Sequence, residues 1–273
     1  MRNYNETLEI LEKYNQVHLL NFYNELTADE QNALLQDIES IDFDEINNIV
    51  NSKDANDKAT NFELKPMETI DKYSLSQNDK EKYQIIGDEL IKNKKVAVCT
   101  MAGGQGSRLG HNGPKGTFIV PLKEPKSIFQ IATEHLLEVY KKYGVYVYWY
   151  IMTSEDNDAV TKQFFEDNNY FGYSKDYIKF FKQGELPLTD FEGKILLQNK
   201  HKIFKAANGN GGIFKALEDN NIINELKANG VEYLATCNVD NILIKPVDNI
   251  MFGVLKEKNI EIGIKSVIKR DPA

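Results

Sequence analysis

The sequence has few cysteines and histidines, and it lacks long apolar runs. Its two cysteines, Cys99 and Cys237, lie far apart in apolar segments and form no CxxC pair. This usage argues against a zinc site and against a disulfide framework. No apolar run reaches the roughly 18 residues that a transmembrane helix needs, so we expect no membrane association. The four histidines are scattered and show no pattern of a catalytic triad with a serine or cysteine nucleophile.

The charge balance of the chain is acidic. It has 33 Lys and Arg against 41 Asp and Glu, a formal net charge of −8. A dedicated nucleic-acid-binding protein would present a basic surface, so we expect no nucleic-acid partner. The 273 residues are 41% apolar, too rich for a disordered chain and long enough for a large core. Residues 1–4 lead into a polar amphipathic segment and not a signal peptide, so a cytoplasmic protein is expected.

Residues 1–93 have the pattern of a helical region. Apolar residues at helical spacing predict a first helix from Leu8, Leu11, Leu19 and Phe22, a second from Leu34, Leu35 and Ile38, a third from Ile46, Ile49 and Val50, and a fourth over 79–92. Thr27 to Glu30 has the form of a capping box, and Asp42 is placed as a cap for the third helix. The polar stretch 51–61 predicts a loop. This region contains no chemical motif, and we assign it a structural role.

From residue 94 onward, short apolar runs alternate with helical patterns. The predicted strands cover 96–101, 146–152, 178–181, 231–237 and 260–268, and the predicted helices cover 128–137, 158–168 and 214–226. This alternation predicts βαβ units in a three-layer α/β/α sandwich, Rossmann-like, with a mixed and mostly parallel sheet. We therefore expect an α/β core over residues 94–273 behind an N-terminal helical extension over residues 1–93.

The glycine loop, residues 102–110 (AGGQGSRLG), follows the first strand and carries the strongest chemical signal. Its glycines let backbone amides approach a ligand and form an anion cradle at the end of a strand. The dinucleotide fingerprint is excluded because Gly110 falls one position late, and no Walker G-K-[S/T] occurs in the chain. Arg108 in the loop and Lys115 in the following GPKG segment add two cations, which suit a polyphosphate whose charge must be neutralised.

Three further positions carry weaker signals. Gln183 follows a strand, and its amide can donate and accept at once, as a uracil edge requires, although most loop glutamines have no such role. The NGNGG segment over 208–212 is either a tight turn that caps a helix or a place where a ligand approaches the backbone. Asp240 ends a strand, where a carboxylate serves either as a turn cap or as an anchor for Mg²⁺.

The chain resembles the sugar-1-phosphate uridylyltransferases in its glycine loop and GPKG segment, and it is most similar to the eukaryotic-type UDP-N-acetylglucosamine pyrophosphorylase group and its bacterial relatives. Further similar blocks follow in the same order, and they are WYIMTS (149–154), YFG (170–172), FFKQG (180–184), GKI (193–195), NGNGG (208–212) and VDN (239–241), with HLLNF (18–22) in the helical part. The resemblance therefore covers nearly the whole chain. Ser107 stands where the family usually has threonine, and Ala207 and Asn208 replace a commoner Pro-Asp.

The resemblance implies roles for individual residues. The residues implied to bind the nucleotide are Ala102, Gly103, Gly104, Gly106, Ser107, Gln183 and Gly209. The implied catalytic groups are Arg108 and Lys115, which would hold and neutralise the triphosphate. The implied sugar contact is Asn210, and the implied Mg²⁺ ligand is Asp240.

The implied activity is that of a nucleotidyltransferase with a nucleotide-diphospho-sugar transferase fold. Such an enzyme makes a UDP-sugar and pyrophosphate from UTP and a sugar 1-phosphate, with Mg²⁺ as cofactor. N-acetylglucosamine 1-phosphate is the first expectation for the acceptor, and glucose 1-phosphate is the second. A UTP-binding fragment without turnover and a relative that has lost activity are the alternatives. Members of the family continue well beyond this length, so we expect these residues to be the N-terminal and central part of a longer protein, with part of the sugar and metal site beyond residue 273.

Overall fold

The computed structural model describes residues 2–51 and 69–267. Within those ranges the α-helices are α1 (Tyr4–Lys13), α2 (Ala28–Glu39), α3 (Phe43–Asn51), α4 (Gln77–Lys92), α5 (Ile128–Tyr143), α6 (Asp158–Asp167), α7 (Ile213–Asp219), α8 (Ile222–Ala228) and α9 (Asn249–Glu257). The strands in the same ranges are β1 (Val96–Met101), β2 (Ile119–Val120), β3 (Lys126–Ser127), β4 (Tyr148–Thr153), β5 (Ile178–Lys182), β6 (Glu185–Pro187), β7 (Leu197–Asn199), β8 (Lys202–Ile203), β9 (Lys205–Ala207) and β10 (Tyr233–Asn238).

The first helices begin where their caps predicted. The Thr27 hydroxyl accepts a hydrogen bond from the Glu30 backbone N–H, and the Glu30 carboxylate accepts one from the Thr27 N–H, which completes the capping box of α2. At the start of α3, Asp42 Oδ1 accepts from the Glu45 N–H at 2.9 Å. Helix α4 confirms the helix predicted over 79–92. The loop predicted over 51–61 lies, apart from its first residue, outside the described residues.

Two predicted helices are interrupted at asparagines in the left-handed conformation. The first helix does not extend to Leu19 and Phe22; it ends at Lys13, because Asn15 has a φ of 55° that an α-helix cannot continue. The helix predicted over 214–226 is divided into α7 and α8 at Asn221, which has a φ of 57°. Asparagine tolerates this conformation because its short polar side chain can bond locally. Apolar spacing carries no sign of such a break.

Four strands form a parallel sheet in the order β10-β1-β4-β5. Successive side chains of β1 point to opposite faces, so Val98 packs with α5 and α6 while Cys99 packs with α7 and α8. Trp149 and Tyr150 of β4 are both 1% exposed and also face opposite layers. The sheet is thus covered on both faces, which confirms the predicted three-layer α/β/α fold. The short β2–β3, β6–β9 and β7–β8 pairs are antiparallel and lie outside this sheet.

The described chain divides into two compact units. The helical unit comprises residues 2–51 and 185–208, and the sheet unit comprises residues 69–184 and 209–267. This division differs from the boundary predicted near residue 93, because α4 belongs to the sheet unit and the segment with β6 to β9 belongs to the helical unit. Buried Gln16 shows why the segment does so: its amide donates to the Gly193 carbonyl at 2.8 Å and accepts from the Ile195 N–H at 2.9 Å.

Helices α4 and α9 approach each other closely through two glycines. A Cβ on Gly87 would lie 1.8 Å from the backbone oxygen of Asn249, and a Cβ on Gly253 would lie 1.9 Å from that of Tyr83. Neither position has room for a side chain. The helices bury Phe252 and its apolar neighbours around this crossing. The apolar patterns did not predict α9.

The strand predicted over 260–268 is wrong for the residues that the structure describes. Residues 260–267 form no strand, and Ile262, Ile264 and Val267 are 78%, 71% and 93% exposed. Alternating apolar residues form a strand only where a neighbouring strand supplies hydrogen bonds, and no described strand pairs with this segment. Residue 268 lies outside the described residues.

Both cysteines are free and buried. Burial raises the pKa of the Cys99 thiol to about 12 and also raises the pKa of the Cys237 thiol, so neither is ionised near neutral pH. Across the described residues, no helix combines the length and apolar character needed to cross a bilayer.

Candidate active site

The candidate site lies at the carboxyl edge of the parallel sheet, within the sheet unit. The glycine loop follows the end of β1, Gln183 follows β5, and Asp240 lies two residues beyond the end of β10. Because the strands are parallel, their carboxyl ends meet at one edge, which is the usual ligand-binding edge of an open α/β sheet. The fold therefore brings to one edge residues that are far apart in the chain, such as Gly103 and Asp240, which are 137 positions apart.

The glycine loop is held in shape by backbone hydrogen bonds to the GPKG segment. The Gly106 N–H donates to the Gly113 carbonyl at 2.8 Å, and the Lys115 N–H donates to the Gly104 carbonyl at 3.0 Å. The N–H groups of Gly103 and Gly104, in contrast, donate to no group in the described part of the chain. Two adjacent unpaired donors at the end of a strand provide a place for an anion.

His111 braces the loop, and the sequence motifs did not single it out. Its Nε2 lies 2.7 Å from the Thr117 hydroxyl, which itself donates to the Pro114 carbonyl at 2.8 Å. The hydroxyl proton is thus in use, so the Nε2–H of His111 is the donor in that pair. A Cβ on Gly106 would lie 2.8 Å from His111 Cδ2, so packing against the imidazole favours glycine at this position. An isolated histidine has no sequence signal that would reveal such a role.

Lys115 and Asp240 form an ion pair beside the unpaired amides. Lys115 Nζ lies 3.0 Å from Asp240 Oδ2, with the two side chains 25% and 50% exposed. A Cβ built on Gly104 would lie 3.8 Å from the same Nζ atom. A cation, a carboxylate and free backbone donors therefore converge at one point of the sheet edge.

The side chain of Gln183 lies over Gly103. A Cβ on Gly103 would lie 2.6 Å from Gln183 Nε2 and 2.9 Å from its Oε1, so glycine is needed for this contact. The Gln183 N–H donates to the Thr153 carbonyl at 2.8 Å, which fixes the backbone beside β4. Its side-chain amide has no hydrogen-bond partner within the described residues, so both its donors and its acceptor remain available to a ligand.

The remaining predicted site residues make fewer contacts with the groups described above. Asn210 Nδ2 donates to Asn238 Oδ1 at 3.1 Å, next to the end of β10, and the preceding Gly209 has a φ of 77° that favours glycine. Ser107 and Arg108 are exposed on a 3₁₀ turn of the loop. In the described part of the chain, the Arg108 side chain makes no ion pair and no hydrogen bond.

Ala102 anchors the loop through its backbone. It is fully buried, its N–H donates to the Met152 carbonyl at 2.7 Å, and its carbonyl accepts from Asn157 Nδ2 at 3.0 Å. Asn157 is 1% exposed, and its Oδ1 accepts from the Ser154 N–H at 2.8 Å. Both backbone groups of Ala102 are thus used within the protein, and the free donors begin at Gly103. Asn157 has no motif that would have identified it from sequence.

We expect Asn157→Ala to destabilise the sheet unit and to weaken ligand binding at the loop. The substitution leaves the Ala102 carbonyl and the Ser154 N–H without their buried partner, which costs about 3 kcal/mol of unfolding free energy. Urea unfolding measures the loss, and calorimetry measures the affinity for UTP, the ligand that the resemblance implies. Thr133→Val is the matched control, because Thr133 is equally buried and its hydroxyl donates to the Phe129 carbonyl at 2.8 Å within α5, so that the substitution leaves both hydrogen bonds of Asn157 in place. Equal loss of UTP affinity in both variants would contradict a positioning role.

A buried carboxylate supports the turn that follows β4. Asp158 accepts from the Thr153 hydroxyl at 2.6 Å and from Lys162 Nζ at 2.6 Å. Burial by itself would raise the pKa of the Asp158 carboxyl, but the hydrogen bonds from Lys162 and Thr153 outweigh burial and hold that pKa below its ordinary value. The ionised carboxylate therefore fixes Thr153, whose carbonyl accepts from Gln183.

Asp240 is the predicted metal ligand, and its surroundings suit an ion that is held by the protein together with substrate phosphates. Within the described residues, no group of three or more His, Cys, Asp or Glu side chains could enclose a metal ion. Mg²⁺ commonly binds through one or two carboxylates, its own waters and substrate phosphates. A half-exposed carboxylate beside an anion cradle fits that mode of binding.

The chain is similar to known UDP-sugar pyrophosphorylases over most of its length. A profile of the family described as UTP–glucose-1-phosphate uridylyltransferase (UDPGP) matches residues 42–272. A protein of Dictyostelium discoideum named "Probable UDP-N-acetylglucosamine pyrophosphorylase" is 36% identical over 94% of this chain and 56% of its own length. The UDP-N-acetylglucosamine pyrophosphorylase of Saccharomyces cerevisiae is 34% identical over 97% of this chain and 59% of its own length.

A solved structure of a UDP-sugar pyrophosphorylase has a similar fold. The uridine diphosphate N-acetylglucosamine pyrophosphorylase from Trypanosoma brucei matches with a TM-score of 0.76 and 25% identity, over 95% of this chain and 55% of that one. The chain thus spans little more than half the length of the relatives that it matches. Because the family profile covers most of its residues, the chain belongs to the UTP–glucose-1-phosphate uridylyltransferase (UDPGP) family.

Proposed function

We propose that this chain carries the nucleotide-binding half of a UDP-sugar pyrophosphorylase, which makes a UDP-sugar and pyrophosphate from UTP and a sugar 1-phosphate. One observation carries the proposal: the unpaired amides of Gly103 and Gly104, the Lys115–Asp240 pair and the free amide of Gln183 meet at one edge of the sheet. Backbone N–H donors and a cation are the groups that bind a triphosphate, and a side-chain amide that can both donate and accept hydrogen bonds suits the uracil edge. Family membership supports the same assignment.

The reaction needs positioning and charge neutralisation from the protein, with no covalent enzyme intermediate. A phosphate oxygen of the sugar 1-phosphate attacks the α-phosphorus of UTP, and the bond from that phosphorus to the β-phosphate oxygen breaks to release pyrophosphate. The amides of Gly103 and Gly104 bind phosphate oxygens, and Lys115 neutralises charge near the reacting phosphorus. Arg108, exposed on the loop, reaches the triphosphate from solvent. Gln183 binds uracil, and Asn210 contacts the sugar hydroxyls.

Asp240 is the residue that would hold Mg²⁺. When bound, the ion supplies neutralisation of charge on the α-phosphate and the leaving group. Asp240 would supply a carboxylate ligand to the ion, which would also bind substrate phosphates. The support for this assignment is the donor chemistry of a hard, half-exposed carboxylate at the phosphate cradle.

The first candidate for the acceptor is N-acetylglucosamine 1-phosphate, because the relatives from Dictyostelium discoideum and Saccharomyces cerevisiae carry the N-acetylglucosamine name. Glucose 1-phosphate is the alternative, since the family description names that substrate. A UTP-binding fragment without turnover is the second candidate function, because the chain spans 56% of the Dictyostelium discoideum relative. The cytoplasmic location stays a prediction from the sequence.

A pair of assays tests these assignments. We expect calorimetry to show UTP binding in the presence of Mg²⁺, and pyrophosphate release with N-acetylglucosamine 1-phosphate to exceed release with glucose 1-phosphate. Binding without release from either acceptor would identify the chain as a binding fragment. Absence of UTP binding would contradict the assignment of the site itself.

A further inference from the structure

The Lys115–Asp240 pair places two groups with different proposed ligands in contact with each other. Lys115 Nζ lies 3.0 Å from Asp240 Oδ2. An ammonium group that is held by a carboxylate must leave it, or share it, to bind a phosphate. A carboxylate that is held by an ammonium must likewise release it to bind a divalent cation. A phosphate or a cation that binds alone therefore competes with the Lys115–Asp240 pair. When the two bind together, each binds with higher affinity.

We propose that Asp240 is a specificity-determining residue that favours metal-bound over metal-free triphosphate, because it competes with the phosphates for Lys115 until a divalent cation neutralises the carboxylate. The inference rests on the proposed function. Without a cation, Asp240 holds Lys115 and adds a negative charge to the site, so metal-free triphosphate binds more weakly. With a cation, the carboxylate has a new partner, and the ammonium turns to the phosphates.

The position of the pair distinguishes it from an ordinary surface ion pair. A Cβ on Gly104 would lie 3.8 Å from Lys115 Nζ, so the ammonium is held next to the unpaired amides. The Lys256–Glu232 pair of the same unit has a similar length of 2.9 Å but lies where β10 begins, at the opposite end of that strand. Because Lys115 and Asp240 are 25% and 50% exposed, solvent screens their attraction. We therefore expect a coupling of about twofold to fivefold in affinity.

A double-mutant cycle measures this coupling on the 273-residue chain. The four proteins are the native chain, Asp240→Asn, Lys115→Met and the double variant. UTP affinity is measured by calorimetry in EDTA at low ionic strength, where charge interactions are least screened. Competition against a fluorescent uridine nucleotide extends the measurement to weakly binding variants. Thermal unfolding checks that the substitutions, both at partly exposed side chains, leave the fold intact.

The proposal makes the effect of Asp240→Asn depend on Lys115. Removing the carboxylate should tighten metal-free UTP binding in the native background, and this gain should exceed the gain in the Lys115→Met background by about twofold to fivefold. Equal gains in both backgrounds would mean that Asp240 only repels the phosphates through space, and would overturn the proposal. Glu232→Gln is the charge-matched control, because it removes one negative charge at the other end of β10 and should leave UTP affinity unchanged.

The cycle also separates failure of this inference from failure of the proposed function. Equal gains with retained UTP binding overturn only the coupling between Lys115 and Asp240. Absence of UTP binding in all four proteins, with and without Mg²⁺, would overturn the nucleotide site and the inference with it.

Discussion

Lys115→Ala should reduce the affinity for UTP in the presence of Mg²⁺ by about tenfold to a hundredfold. A hydrogen bond to a charged group contributes about 1.5–3 kcal/mol, and tenfold in affinity corresponds to about 1.4 kcal/mol. The Lys115 ammonium now lies 3.0 Å from Asp240 Oδ2, and in the presence of Mg²⁺ the cation would neutralise that carboxylate, so the expected loss is that of the contact between Lys115 and the phosphates. Calorimetric titration with UTP measures the change. Where the chain turns over, pyrophosphate release should fall by about a hundredfold or more, because a preorganised charge at the reacting phosphate is lost.

Lys256→Ala is the matched control for that substitution. Lys256 also forms an ion pair, with Glu232 at 2.9 Å, but on α9 and away from the carboxyl edge of the sheet. It should therefore leave UTP affinity unchanged. If Lys115→Ala retained its affinity for UTP, or if both variants lost affinity equally, the assignment of Lys115 to the phosphate site would be wrong.

Gly253→Ala should destabilise the sheet unit by about 3 kcal/mol. The new methyl group would lie 1.9 Å from the Tyr83 oxygen and 2.6 Å from its carbonyl carbon, both of them backbone atoms that cannot rotate away. Helices α4 and α9 must then separate, which loosens the packing of Phe252 and its apolar neighbours. Overpacking of this kind costs about 1–3 kcal/mol, and contact with backbone places Gly253 at the upper end. Urea unfolding measures the change in free energy of unfolding.

The sign of the effect is the decisive part of this prediction. Helix propensity by itself favours alanine over glycine by about 1 kcal/mol, so a helix without the close crossing would be stabilised. Gly211→Ala provides the control, because no atom lies within 4 Å of its added Cβ and its φ is not positive. It should be neutral or slightly stabilising. Stabilisation by Gly253→Ala would contradict the close approach of the two helices.

The chemical groups of the site could be predicted from sequence, but their contacts could not. The glycine loop and Lys115 could be predicted from local pattern, because a glycine-rich loop after a strand has a local signature, whereas for Asp240 the local pattern left a turn cap as an alternative and the resemblance implied the metal role. That Lys115 touches Asp240, and that Gln183 lies over Gly103, depends on which strands become neighbours. No local pattern contains that information.

The supporting residues of the site were invisible for a related reason. Asn157 donates to the Ala102 carbonyl, which is 55 positions away in the chain, and His111 pairs with the Thr117 hydroxyl. A buried asparagine and an isolated histidine are common in proteins, so neither residue type points to a role without its partner. The glycines of α4 and α9 were missed likewise, because a close helix crossing requires both helices to be in place.

The few cysteines, the acidic charge balance and the lack of a membrane-length apolar run argue against a zinc site, a disulfide framework, a nucleic-acid-binding protein and a transmembrane helix. The sequence alone determined most of the secondary structure and the α/β class, and it indicated a glycine-rich anion site, because periodicity, capping and glycine loops are local properties. Tertiary structure alone decided the division into two units, the return of residues 185–208 to the helical unit, and the pairing of Lys115 with Asp240. These features follow from contacts between residues more than a hundred positions apart, whose energy arises only when the chain has folded.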